Sequence, residues 1–404
     1  MNNVKRNIIL HMLTSTLRGI AMICVSGTLM QVFLSSIGFS GSQIYLYSTA
    51  GQAAQLVITL TCSRFGDRGN FFRRLSFVSA AEGVLLLFYL PLCIRAKAEL
   101  SDYILLLSIC CLQSAFIGLY TVLNYKLPYF IFRVKDYGRI ISVCGVISSG
   151  ISIGIGALMT ALTARFSYSV IMPWILPFSA GVLILSGALK MHFRSLIDPD
   201  TIQEHPGGKK KNQHSVKEML RHPVFYQLVG PNLIRGFASG MTTVFAVIAS
   251  VDLGYSEQTT TALVSLCSGA TLLGCALFGV LSRRVCDRHI VFAGSLAFVC
   301  MPMLLIPDSP GLFLALVTVI TFGKTLMEYA VPALLLRAVP GEIAGSYNAY
   351  RMILQYAGSL LATTLASMVS TSILLPVAMV FQIITGAAYC FLPVLRKAVP
   401  SAKI

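Results

Sequence analysis

Two arginines stand inside stretches that otherwise read as membrane-buried helix: Arg18 in "STLRGIAMIC" and Arg235 in "NLIRGFASGM". A guanidinium is planar, permanently charged at physiological pH and able to give a carboxylate or phosphate two parallel hydrogen bonds. Left in lipid it costs at least ~2.5 to 3.5 kcal/mol, so each arginine needs an acidic partner, a wet cavity or an anionic ligand. Away from the ends of the apolar runs, Arg18, Arg235, Lys324 and Arg351 face only Glu82 and Glu328. The positive excess points to an anionic solute held between the two arginines. The competing reading is structural, with Arg18 or Arg235 paired to Glu82 or Glu328 to hold helices together.

Polar residues around these charges recur at helical spacing, as expected where a helix face meets water or a polar seam. Asn232 and Arg235 share a face with Ser239 and Thr242; Gln52 and Gln55 continue a stripe from Ser48 to Thr59. Tyr347, Arg351 and Gln355 form another stripe, and Gln113, Tyr120 and Asn124 a fourth. Together these nominate Arg18, Arg235, Asn232, Gln52, Gln55, Asn124, Tyr120, Arg351 and Gln355 as substrate contacts. Lys324 and Glu328 lie one turn apart, either neutralising each other or forming a proton-carrying pair, because a poorly solvated carboxyl holds its proton more tightly.

The elements that must position these groups are long apolar helices. The chain has 404 residues, 56% of them hydrophobic and only 11% charged, with a mean hydropathy of +0.77, so too few charges exist to cover a water-soluble surface. Apolar runs long enough to span a bilayer fall at 8–35, 41–63, 72–94, 103–125, 139–163, 170–190, 223–251, 257–282, 289–306, 311–336, 343–368 and 371–394. Pro302, Pro307 and Pro310 interrupt the ninth and tenth. The pattern predicts an all-α membrane protein of about twelve transmembrane helices, and the absence of alternating ten-residue segments excludes a barrel. With both termini inside, only Arg95, Lys97 and Arg165 of the 31 Lys and Arg fall outside, so the net charge of +16 reads as a topology signal rather than a nucleic-acid surface. The expected location is the plasma (inner) membrane, multi-pass, with cytoplasmic termini.

The pattern breaks at 191–222, where "DPDTIQEHPGGKKKNQH" reads as a cytoplasmic loop between a half spanning 1–190 and a half spanning 223–404. The halves align: "LRGIA" with "IRGFA", "IGFSGSQ" with "LGYSEQT", Asp67-Arg68 with Asp287-Arg288, and "NYKLP" with "EYAVP". Six helices duplicated in parallel is a transporter plan with the solute held between the halves. In this layout, its basic central loop and its Asp-Arg loops, the chain resembles the major facilitator superfamily. That resemblance implies alternating access, and a cytoplasmic gate at Asp67, Arg68, Asp287 and Arg288. The family's Gly-x-x-x-Asp-Arg-x-Gly-Arg-Arg loop is only partly kept in "SRFGDRGNFFRR", with Ser63 and Asn70 at two glycine positions. The arginine pair is similar to that of the organophosphate/phosphate antiporters, which implies anion-binding roles for Arg18 and Arg235; carboxylates fit the residues equally well.

The eleven cysteines form no CxxC pair, no histidines form an HExxH pair, and no GxxxxGK[ST] loop is present, so no metal, cofactor or ATP-driven step is expected. The resulting expectation is a secondary transporter, not an enzyme. It would move a small organic anion, either proton-coupled or exchanging one anion for another, as a monomer with the lipid bilayer as its other partner. Two alternatives stay open: an exporter of amphipathic drugs or metabolites, and a non-transporting membrane receptor.

Overall fold

Every described element of the chain is helical, as a bilayer requires of a chain that cannot hydrogen-bond its backbone to water. The computed structural model describes residues 3–25, 28–62, 71–95, 99–131, 137–195, 223–282, 284–306, 309–338 and 341–391. The main helices of the first part are α1 (Asn3–Val25), α2 (Gly41–Thr61), α3 (Phe71–Leu86), α4 (Leu100–Ile131), α5 (Tyr137–Thr163) and α6 (Tyr168–Lys190). Those of the second are α7 (Pro231–Thr242), α8 (Glu257–Leu281), α9 (Asp287–Leu296), α10 (Pro310–Ala338), α11 (Gly341–Ala366) and α12 (Thr371–Phe391). Short segments extend several of them: Thr28–Ser36 after α1, Leu87–Tyr89 and Leu90–Arg95 after α3, Pro223–Val229 before α7.

Among the described residues, nine helical stretches are long and apolar enough to cross a membrane. The sequence-expected spans at 8–35, 41–63 and 343–368 are not among them, although α1, α2 and α11 occupy those stretches. Of these, α2 and α11 each carry one of the polar stripes, which lowers their hydropathy, and α1 opens on the polar run Lys5-Arg6-Asn7. Pro302 sits in a 3-10 stretch, Ala297–Leu305, that completes the ninth apolar run, and Pro310 opens α10, where its missing N–H costs nothing. Of the central loop expected at 191–222, residues from 196 onward lie outside the described residues.

The two turns that precede α2 and α8 are built alike. Gly38 at φ 100° and Gly254 at φ 66° take the left-handed backbone that glycine tolerates. Two residues later a serine caps the next helix: Ser40 Oγ accepts from Gln43 N at 3.4 Å, and Ser256 Oγ accepts from Thr259 N at 3.3 Å. The aromatic between glycine and serine then meets another ring, Phe39 tilted against Tyr103 of α4 and Tyr255 edge-to-face with Phe313 of α10, each at 5.6 Å between ring centroids.

Within the first six helices α3 packs on α6, α2 on α4 and α1 on both α5 and α6; within the last six α7 packs on α11 and α12, and α8 and α9 on α10. The seam between the two sets runs along α5 against α8 and α2 against α11. At the end of the bundle carrying the glycine turns the sets touch directly. Gln31 Nε2 donates to Thr243 O at 2.8 Å, Tyr168 and Thr261 share a hydroxyl hydrogen bond, and Gly41 lies against Val251. These contacts bridge the two sets at that end, and a cavity lies toward the other.

Candidate functional site

Arg18 meets an acid before it meets any cavity. Its guanidinium grips the Glu82 carboxylate with both nitrogens, Nη2 to Oε1 at 2.7 Å and Nη1 to Oε2 closer still. Glu82 is fully buried and its position one helix over, on α3, makes the pair a tie between α1 and α3. The Tyr120 ring lies under the guanidinium, 3.5 Å from Cζ to the ring centroid, and its hydroxyl donates to Asn124 Oδ1 at 3.2 Å. A second cation stands on the same ring: Lys190 Nζ is 4.5 Å from its centroid and donates to Ser79 Oγ at 3.0 Å. Two cations, one carboxylate and one aromatic face thus form a compact buried cluster, with cation–π contact supplying part of the solvation that lipid withholds.

Arg235 and Arg351 occupy a different place. Both line a cavity of about 370 Å³ enclosed by α5, α7, α8, α10 and α11. Its charged and amide lining is Arg235, Arg351, Gln355 and Glu328; the rest is Ile141, Phe278, Tyr329, Pro332, Ala333 and Met352. Local bonds aim the arginines. Arg235 Nη1 donates to Asn232 Oδ1 at 3.3 Å, and Asn232 Nδ2 donates in turn to Tyr389 Oη at 2.7 Å, so Asn232 holds the guanidinium from behind. Arg351 Nη1 donates to Gln355 Oε1 at 3.3 Å, one turn along the stripe read from the sequence.

α7 and α11 approach closely enough to bring these two stripes together because glycines face each other across the contact. A Cβ on Gly236 would run into the backbone of Gln355, and one on Gly358 into the backbone of Leu233 and Phe237. Lys324 reaches across from α10, its Nζ donating to Thr242 Oγ1 at 2.9 Å and standing 3.8 Å from Glu328 Oε1. Glu328 is open to the cavity, its side chain 41% exposed.

The sequence-nominated residues therefore separate. Arg235, Arg351, Gln355 and Glu328 converge on the cavity with Asn232 behind them, whereas Arg18, Glu82, Tyr120 and Asn124 form the buried cluster outside its lining. Gln52 and Gln55 lie on α2, which packs on α11; Thr59 Oγ1 donates to Gln55 O at 2.7 Å, and Gln52 Oε1 is buried without a hydrogen-bond partner among the described residues. Of the gate residues, Asp67 and Arg68 lie outside the described residues, while Asp287 is buried in the first turn of α9, where the helix dipole favours a carboxylate. Three participants escaped the sequence reading. Lys190 ends an apolar run and reads there as an inner-side anchor, yet it is 1% exposed. Phe278 and Met352 carry no polar signal that would distinguish a cavity wall from core.

The profile of the Major Facilitator Superfamily matches residues 11–363. The chain belongs to that superfamily. Membership places it among multi-pass secondary transporters, in keeping with its apolar helices. No curated protein sequence matches it significantly. Among solved structures it is similar to a bacterial homologue of the iron transporter ferroportin in an outward-facing state, with 12% identity, a TM-score of 0.67, and 96% of this chain and 98% of that chain covered. The same homologue in an outward-facing state with soaked iron gives 13% identity and a TM-score of 0.65 over the same shares. At such identity the likeness is one of fold.

Proposed function

We propose that this superfamily member carries a small organic anion, a carboxylate or phosphate, by alternating access between two six-helix repeats, 1–190 and 223–404, joined by the loop at 191–222. The observation that carries the reading is that Arg235 and Arg351 line one cavity together, with Gln355 bonded to Arg351 in the same lining. Two guanidiniums in a cavity of about 370 Å³ make an anion the ligand that the field favours. Arg18 is assigned to structure in this state, because a guanidinium already forked onto Glu82 has no fork to offer a second anion. Arg351 takes its place beside Arg235. The Lys324–Glu328 pair is the candidate for coupling to a proton, with exchange of one anion for another as the other arrangement.

Iron, which the similar bacterial structure was soaked with, fits this cavity poorly: two arginines repel a divalent cation, and no three His, Cys, Asp or Glu side chains gather among the described residues. Export of amphipathic compounds is the second reading, supported by Phe278, Tyr329 and Met352 in the same lining. The test is ligand-induced stabilisation of purified protein, followed by uptake into vesicles. We expect Arg235→Gln and Arg351→Gln to keep their fold and lose stabilisation by carboxylates or phosphates. Unchanged anion binding in both variants would remove the cavity as the anion site.

A further inference from the structure

The cavity holds a carboxylate as well as two arginines, and that carboxylate has little to do within the protein. Glu328 lines the cavity with its side chain 41% exposed. Its ion-pair partner, Lys324 Nζ, stands at 3.8 Å, too far for a hydrogen bond, and is itself bonded to Thr242 Oγ1 at 2.9 Å. Among the described residues Glu328 accepts no hydrogen bond. A solute that was only anionic would gain from Arg235 and Arg351 and lose to Glu328. A dianion would lose twice. The rest of the lining is largely apolar: Phe278, Ile141, Pro332 and Ala333 offer a ligand no hydrogen bond, and Met352, whose Sδ lies 3.1 Å from Arg351 Nη2, adds a polarizable surface beside the guanidinium, so the cavity also suits an apolar body.

We infer that the substrate is an amphipathic zwitterion, its carboxylate held by Arg235 and Arg351, its ammonium by Glu328 and its apolar body by Phe278 and Met352. This rests on the anion reading above and narrows it to solutes of amino-acid type with an apolar side chain. Three features agree. Charges of both signs line one cavity, so a dipolar ligand has its field fixed in one orientation. Electrostatic complementarity of that kind contributes specificity more than raw affinity. The volume of about 370 Å³ lies at the small end of ligand sites and accommodates a single amino acid with a ring.

The experiment compares three probes of one shape on the purified full chain in detergent: L-phenylalanine (both charges), 3-phenylpropionate (carboxylate only) and phenethylamine (ammonium only), with glycine testing the need for an apolar body. Dissociation constants are taken by calorimetry and melting-temperature shift. We expect L-phenylalanine to bind at least about tenfold tighter than 3-phenylpropionate, with glycine weak. Glu328→Gln should erase that preference by weakening L-phenylalanine alone, and Arg351→Gln should weaken both carboxylates. Equal binding of L-phenylalanine and 3-phenylpropionate to the parent, both lost in Arg351→Gln, would overturn the zwitterion and leave the anion reading standing. Binding confined to phenethylamine, or no response to any carboxylate probe, would overturn both.

Discussion

At the residue scale, the fate of Arg18 shows how a charge is kept inside a membrane protein. Bidentate contact with Glu82 and a face-on Tyr120 ring give the guanidinium both neutralisation and solvation in place. Taking away the acid leaves a buried charge with a cationic neighbour, Lys190, on the same ring. Glu82→Gln should therefore cost about 3 to 5 kcal/mol, read as a lowered melting temperature in detergent, whereas the double change Arg18→Met with Glu82→Leu should recover most of it. A double variant as unstable as Glu82→Gln would mean the arginine serves more than the pair. Much of this was legible beforehand. The scarcity of acids among the apolar runs named Glu82 and Glu328 as the available partners of Arg18 and Arg235. Which acid went to which base was not legible, because the two-fold likeness of "LRGIA" and "IRGFA" says where the arginines sit on their helices and nothing about what α3 and α10 bring beside them. Glu82 came to Arg18, whereas Arg235 shares its cavity with a second arginine, Arg351.

At the element scale, the cavity depends on how closely α7 and α11 lie, and that closeness is set by glycine. Gly236 faces the Gln355 backbone, and a Cβ on Gly358 would stand 2.8 Å from Phe237 N. Neither backbone can give way cheaply, so Gly236→Ala and Gly358→Ala should separate the helices, moving Arg235 away from Arg351 and Gln355. We expect both variants to lose stability, measured by thermal unfolding, and to bind carboxylate probes at least about tenfold more weakly. Gly154→Ala is the internal control: its Cβ would meet nothing within 4 Å, so the better helix former should leave stability unchanged or raise it by up to about 1 kcal/mol. Helix positions themselves were readable from hydropathy, whereas "IGFSGSQ" and "LGYSEQT" were read only as repeat partners, and the packing shows them as matching glycine turns with serine caps before α2 and α8. The glycines of α7 and α11 were less informative as letters, since small residues occur on many helix faces here and only the packing shows which ones meet a neighbouring backbone.

At the scale of the whole molecule, one end is bridged by contacts between the first and the last six helices while the arginine cavity lies toward the other. Gln31 to Thr243, Tyr168 to Thr261 and Gly41 against Val251 all bridge the seam. A transporter that releases its solute on both sides must break every one of these contacts once per cycle, at a cost that binding or relaxation elsewhere has to offset. The Gly41 contact allows a direct trial, because a Cβ placed there lies 3.8 Å from Val251 Cβ, within the roughly 3.5 to 4.5 Å that a disulfide spans. The double variant Gly41→Cys with Val251→Cys should cross-link on oxidation, lose transport in vesicles and regain it on reduction, with each single variant unaffected by the same treatment. Substrate binding in detergent should survive the cross-link, since the cavity lies toward the other end. Transport that continues with the bridge formed would show that this end need not open, and the chain would then have to be a binding protein or a carrier working by some path other than the seam.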